Sequence, residues 1–114
     1  MADSISVEDF SRLLAQPGSF VLVDIRRQSD FEADDVVIPG ARRGDPDAVE
    51  SWAAALPPDV EIIVYCVRGG LVSQSVTPQL RARGLPARYI AGGITAWKAL
   101  GGRLELREAV GPDS

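Results

Sequence analysis

The apolar positions of this sequence follow two different spacings. Residues 20–25 and 60–65 are nearly continuous apolar runs, typical of strands buried on both faces, and shorter strands are predicted at 36–38 and 87–90. Apolar side chains at helical spacing predict four helices, in residues 6–14, 47–56, 71–83 and 94–100. Because helices alternate with buried strands, the sequence predicts an α/β fold. We expect a small three-layer sandwich with a mainly parallel central sheet of four to five strands flanked by helices.

Chain length, apolar content and charge indicate the number of domains, the compartment and the class of partner. The 114 residues suit one domain, predicted over residues 1–104, followed by a polar, frayed tail over residues 105–114. Neither a secretory signal nor an apolar run of about 20 residues is visible, so we expect a cytoplasmic protein without a membrane partner. The formal net charge of −4 argues against nucleic acid as a partner.

The content of histidine and cysteine excludes several kinds of chemistry. The sequence has no histidine, which excludes His general bases, Cys–His and Ser–His–Asp nucleophiles, and His-ligated metals. It has one cysteine, Cys66, so an intramolecular disulfide, a CxxC redox pair and a cysteine-rich zinc site cannot form. We therefore expect neither a metal nor a cofactor.

Two polar residues, Asp24 and Cys66, end the two apolar strands, at the edge where open parallel sheets bind ligands. Cys66 is followed by Arg68, two glycines and a predicted helix. Backbone N–H groups of such a loop, the helix N-terminus and a nearby arginine all favour a reactive thiolate. The alternative is that Cys66 is a small buried apolar residue. Its place before Arg-Gly-Gly favours the reactive interpretation.

Three stretches of the chain resemble the rhodanese (sulfurtransferase) domain family, and the resemblance runs from about residue 5 to 102. They are Val23-Asp24-Ile25-Arg26 with Ile38-Pro39-Gly40-Ala41, then Tyr65-Cys66-Val67-Arg68-Gly69-Gly70, and finally Tyr89-Ile90-Ala91-Gly92-Gly93-Ile94 through Trp97. The fold that this resemblance implies, an α/β sandwich around a parallel sheet, agrees with the apolar pattern.

The resemblance also implies a mechanism. The Cys66 thiolate takes a sulfur atom from thiosulfate or another persulfide donor, holds it as a persulfide, and passes it to a thiol or cyanide. The expected partners are a small anionic sulfur donor and a thiol acceptor, with a sulfur-relay protein as an alternative donor. Asp24 and Arg26 are expected to support the site, with Arg26 paired to Asp30. The residues expected to bind the substrate are Val67, Arg68, Gly69, Gly70, Leu71 and Val72.

The sequence departs from the family pattern next to the active-site loop. Leu71 and Val72 stand where the family usually carries an arginine or a serine. The loop or the start of the following helix is also about one residue longer than the family pattern. Related phosphatases and arsenate reductases need an arginine where Val72 stands. Two alternatives to a sulfurtransferase therefore stay open: a rhodanese-like binding or regulatory module with little turnover, and, as a minor one, an arsenate reductase or phosphatase.

Overall fold

A five-stranded parallel sheet forms the centre of the molecule. The structure, a computed structural model, describes residues 3–16 and 18–107. The strand order is β1-β6-β5-β2-β4, and every neighbouring pair in this sheet is parallel. The strands are β1 (Ser4–Ile5), β2 (Phe20–Asp24), β4 (Arg42–Arg43), β5 (Glu61–Tyr65) and β6 (Ala87–Ile90). The predicted parallel sheet of four to five strands is confirmed.

Helices cover both faces of this sheet, which confirms the three-layer arrangement. They are α1 (Val7–Leu14), α2 (Gln28–Ala33), α3 (Val49–Ala53), α4 (Leu71–Ala82) and α5 (Gly93–Leu100). Alternate residues of β5 point to opposite faces. Ile62 and Val64 pack with α3 and α4, whereas Ile63 and Tyr65 pack with α1 and α5. This double burial explains why the two central strands are apolar at almost every position.

A second, two-stranded sheet closes one side of the fold. Residues Val36–Val37 (β3) pair antiparallel with Glu105–Leu106 (β7). The prediction of a frayed tail from residue 105 is therefore wrong for its first residues, because they form a strand on β3. The rest of that tail, residues 108–114, lies outside the described residues, and the domain boundary at residue 104 stays a prediction.

The order of the strands places two chain segments at the same edge of the sheet. Adjacent strands β2 and β5 end in register, with Asp24 opposite Tyr65. The backbone N–H of Ile25 donates to the Tyr65 carbonyl at 2.9 Å, which extends this pairing by one residue. The segment after β2 and the loop after β5, which begins with Cys66, therefore lie side by side at the carboxyl edge.

Candidate active site around Cys66

The thiol of Cys66 is held by two hydrogen-bond donors. Cys66 follows β5 directly, and its side chain is only 5% exposed. The backbone N–H of Gly69 lies 3.2 Å from Sγ, and the Ser73 hydroxyl oxygen lies 2.9 Å from Sγ. Both groups donate to the sulfur, and Ser73 is itself fully buried. Donors fixed in this way stabilise negative charge on the sulfur.

The first residues of helix α5 form hydrogen bonds to the backbone of the Cys66 loop. The N–H groups of Ile94 and Thr95 donate to the carbonyls of Cys66 and Val67, each at 3.0 Å. This close approach requires a glycine at position 93. Gly93 has φ +61°, and a Cβ built on it would lie 2.5 Å from both carbonyl oxygens.

A pocket of about 460 Å³ opens above the thiol. It brings together most of the residues that the sequence suggested for the site, namely Cys66, Val67, Arg68, Gly70, Leu71 and Val72. Gly69 does not line the pocket, but its N–H group donates to the sulfur. The pocket therefore combines the Cys66 sulfur with the apolar side chains of Val67, Leu71 and Val72.

Asp24 and Arg26 form a buried ion pair beside the loop rather than an exposed part of the site. Each side chain is only 1% exposed, and Arg26 Nη2 lies 2.6 Å from Asp24 Oδ2. Arg26 also binds Asp34, with 3.0 Å between Nη1 and Oδ2. The predicted pair of Arg26 with Asp30 is therefore wrong. Arg26 borders the pocket, but its guanidinium is occupied by these carboxylates.

The directions in which the pKa values of Arg26 and Tyr65 are shifted agree with an ion pair between Arg26 and Asp24 that stays charged. Burial acts to lower the pKa of Arg26, but the hydrogen bonds and charge of Asp24 outweigh it, and the pKa is raised. Burial, followed by the charge of Asp24, raises the pKa of the Tyr65 hydroxyl, which donates to Asp24 at 3.0 Å. The Ile38 N–H donates to the same hydroxyl oxygen. The cluster therefore ties the ends of β2 and β5 to the segment after β3.

Three residues of the site were missed from the sequence. Arg27 and Asp30 line the pocket from the segment that follows β2. Arg68 is consequently one of two arginines at the pocket that lack a carboxylate partner in the described part of the chain. Ser73 is the third, and the sequence contains a pattern that could have identified it. It is a polar residue on the buried stripe of α4, at helical spacing from Val76 and Leu80.

Across residues 3–16 and 18–107, His, Cys, Asp and Glu side chains form no group of three or more that could bind a metal ion. None of the helices over the same residues has the length and apolar character needed to cross a membrane.

The comparisons with known proteins agree with this fold. The family model for the rhodanese-like domain matches residues 6–100. A comparison with curated proteins gives no match. A rhodanese-like domain protein from Staphylococcus aureus has 25% identity and a TM-score of 0.77, over 95% of this chain and all of its own (100%).

Two further solved structures show the range of similar proteins. A rhodanese-related protein from Thermoplasma volcanium has 20% identity and a TM-score of 0.77, over 90% of this chain and 96% of its own. A protein from Rhodopseudomonas palustris, described as of unknown function and a possible tyrosine phosphatase, has 26% identity and a TM-score of 0.75. It aligns over 91% of this chain and 85% of its own.

Proposed function

This chain belongs to the family of rhodanese-like domains, and on that premise we propose that it is a sulfurtransferase with Cys66 as its sulfur carrier. The donor is thiosulfate or another anionic sulfane sulfur compound, and the acceptor is a thiol, with cyanide as its laboratory substitute. A sulfur-relay protein is included among the donors. The proposal takes the cytoplasm as the compartment, because a reactive free thiol persists in reducing surroundings.

The first step forms a persulfide. The Cys66 thiolate attacks the outer sulfur of thiosulfate, a new S–S bond forms, and the S–S bond of thiosulfate breaks. The bonding electrons leave with sulfite, so one dianion enters and one dianion departs. Arg68 and Arg27 are the groups proposed to hold the sulfonate end, since both line the pocket.

The second step returns the enzyme to its starting state. An acceptor thiolate or cyanide attacks the outer sulfur of the persulfide, and the bonding electrons return to Cys66 Sγ as thiolate. The Gly69 N–H and the Ser73 hydroxyl stabilise that leaving thiolate because both already donate to Sγ. No general base is needed in either step when the thiolate is populated, which suits a chain without histidine.

The observation that carries the proposal is the pair of donors on a buried sulfur beneath a pocket of about 460 Å³. The test is a thiosulfate:cyanide assay on the wild type, Cys66→Ala and Cys66→Ser, with folding checked by circular dichroism. We expect activity in the wild type and none in either variant. Substantial activity in folded Cys66→Ala would refute covalent catalysis by this residue.

One observation favours a second candidate function, a binding or regulatory module with little turnover. Leu71 is 84% exposed at the side of the pocket, and an apolar side chain in that position suits contact with a partner protein. Under this alternative, Cys66 reacts with alkylating agents but does not turn over any donor in a panel of thiosulfate, thiosulfonates and persulfides. Turnover with one of these donors would reject it.

A phosphatase or arsenate reductase activity has less support. Those enzymes bind a tetrahedral dianion with an arginine at the end of the loop, where this chain has Val72. We expect aryl phosphates and arsenate to be poor substrates. A preference for either over thiosulfate would reverse this assignment.

A further inference from the structure

A second pocket, separate from the thiol, lies between β4 and the small β3–β7 sheet. Its volume is about 460 Å³, within the range of small-molecule sites, about 300–1,000 Å³. Three arginines line it: Arg42 and Arg43 on β4, and Arg107 directly after β7. The chemistry proposed for Cys66 uses none of them.

The side chain of Phe31 organises two of these arginines. The Cζ atoms of Arg43 and Arg107 lie 4.7 and 5.1 Å from the centroid of the Phe31 ring. Phe31 is the aromatic member of the pocket lining. Contact with one ring restricts both side chains, so less conformational entropy is lost when a ligand binds them.

The positive charge of this pocket is not balanced by carboxylates. Over residues 3–16 and 18–107, none of the three arginines forms an ion pair. Arg43 donates to the backbone carbonyls of Asp24 and Gly44 and to the Gln28 side chain. Arg107 donates to the carbonyls of Asp34 and Glu32. Neutral acceptors orient these guanidiniums without cancelling their charge.

Two carboxylates border the same pocket, and together they offset only part of its positive charge. Asp24 is buried and binds Arg26 through both of its oxygens. Glu105 accepts a hydrogen bond from the Gly40 N–H at 3.4 Å. Three guanidiniums therefore face one exposed carboxylate. Each guanidinium has five N–H donors, and both Arg43 and Arg107 keep donors beyond those that bind the carbonyls.

From this geometry we propose that the Phe31 pocket, lined by Arg42, Arg43 and Arg107, binds a tetrahedral oxyanion such as a phosphate group. Bidentate hydrogen bonds from arginine suit that geometry. The pocket has room for an organic phosphate as well as for the free ion. This site is distinct from the Cys66 pocket, with which it shares no lining residue.

The test is an NMR titration of the full chain with inorganic phosphate and, separately, phenyl phosphate, at constant ionic strength. We expect saturable shifts of the Gly40, Ala41 and Leu106 amides. Tighter binding of phenyl phosphate assigns the site to organic phosphates, and equal binding assigns it to the free ion. Either result supports the proposal. Shifts confined to residues 67–70 would overturn it, because the anion would then occupy the Cys66 pocket.

Matched variants separate this site from general charge effects. Arg42→Gln and Arg107→Gln should each weaken binding about tenfold, the low end for a hydrogen bond between charged groups. Arg42 is the cleaner variant because its exposed side chain makes no hydrogen bond or ion pair within the described residues. Arg83→Gln makes the same charge change at an exposed position outside the pocket, after the end of α4 that is remote from the Cys66 loop, and should change Kd less than about twofold. An equal loss in Arg42→Gln and Arg83→Gln would overturn the proposal.

Discussion

Replacing Ser73 by alanine tests the hydrogen bond that the sequence did not reveal. The Ser73 hydroxyl is 2.9 Å from Cys66 Sγ, and the residue is fully buried, so water cannot easily take its place. The substitution removes a single oxygen atom and leaves the helix α4 with a residue of good helix propensity. We therefore expect a folded variant whose thiolate is less stabilised.

The size of the effect follows from two opposing terms. A hydrogen bond to a charged group contributes about 1.5–3 kcal/mol, so its loss should shift the equilibrium from thiolate toward thiol about tenfold to a hundredfold. The remaining thiolate is more nucleophilic, and this recovers roughly 40–50% of the logarithm of that loss. At a pH where the thiol is mostly protonated, the net alkylation rate should therefore fall about three- to fifteenfold.

The assay is the rate of alkylation by iodoacetamide over a series of pH values, followed by intact mass. Because Cys66 is the one cysteine of the sequence, the mass change reports it alone. Ser75→Ala is the matched control, since Ser75 lies exposed on the same helix and its side chain contacts Gln79 instead. Equal rates in the wild type and Ser73→Ala would refute the idea that this hydroxyl stabilises the thiolate.

Three further predictions concern the pocket, the loop and acid stability. Arg68→Ala should lower kcat/KM for thiosulfate about tenfold and Arg27→Ala should lower it less, whereas unchanged kinetics in both would contradict their role in holding the donor. Gly93→Ala should lower the free energy of unfolding in urea by more than about 2 kcal/mol, because it adds a clash to positive-φ strain. Gly84 also has a positive φ (+84°), but a Cβ added there meets no atom within 4 Å, so Gly84→Ala measures the backbone strain alone and should cost less. Equal losses of unfolding free energy in the two variants would contradict a clash at Gly93. Burial acts to raise the pKa of Asp34, but neighbouring cations lower it overall, so its ionised form is favoured by folding. Asp34→Asn should cost about 1 kcal/mol at pH 7, and the difference should shrink as the pH falls below about 3.8; a constant difference down to pH 2 would contradict this.

The fold could be predicted because its central strands are buried on both faces. Residues 20–25 and 60–65 show this directly as continuous apolar runs, and helices on both faces follow from it. A strand at residues 36–38 was predicted, but its antiparallel pairing with β7 was not. The pairing joins segments almost 70 positions apart, from Val37 to Glu105. A strand of two residues such as β7 has no period to detect.

The site was predictable where its residues are consecutive. The loop from Cys66 to Gly70 is one stretch of sequence, so its residues stay together in any fold. Arg27 and Asp30 reach the same pocket from another strand end, and only the order of the sheet brings them there. The predicted pair of Arg26 with Asp30 placed both residues at the start of the helix or turn after the strand, and a spacing of four brings side chains together only within a helix.

The structure explains why that spacing was misleading. Helix α2 begins at Gln28, so Arg26 precedes it. Its side chain turns inward to Asp24 and Asp34 instead, where burial and two carboxylates fix the guanidinium.

The most direct test of the sulfur-carrier proposal is the intact mass of the protein after incubation with thiosulfate. The account predicts a gain of about 32 Da, one sulfur atom, in the wild type, and loss of that mass when cyanide is added. Cys66→Ser should gain nothing under the same conditions. If the wild type gains no mass although its thiol reacts rapidly with iodoacetamide, Cys66 does not take up sulfur from this donor and the account is contradicted.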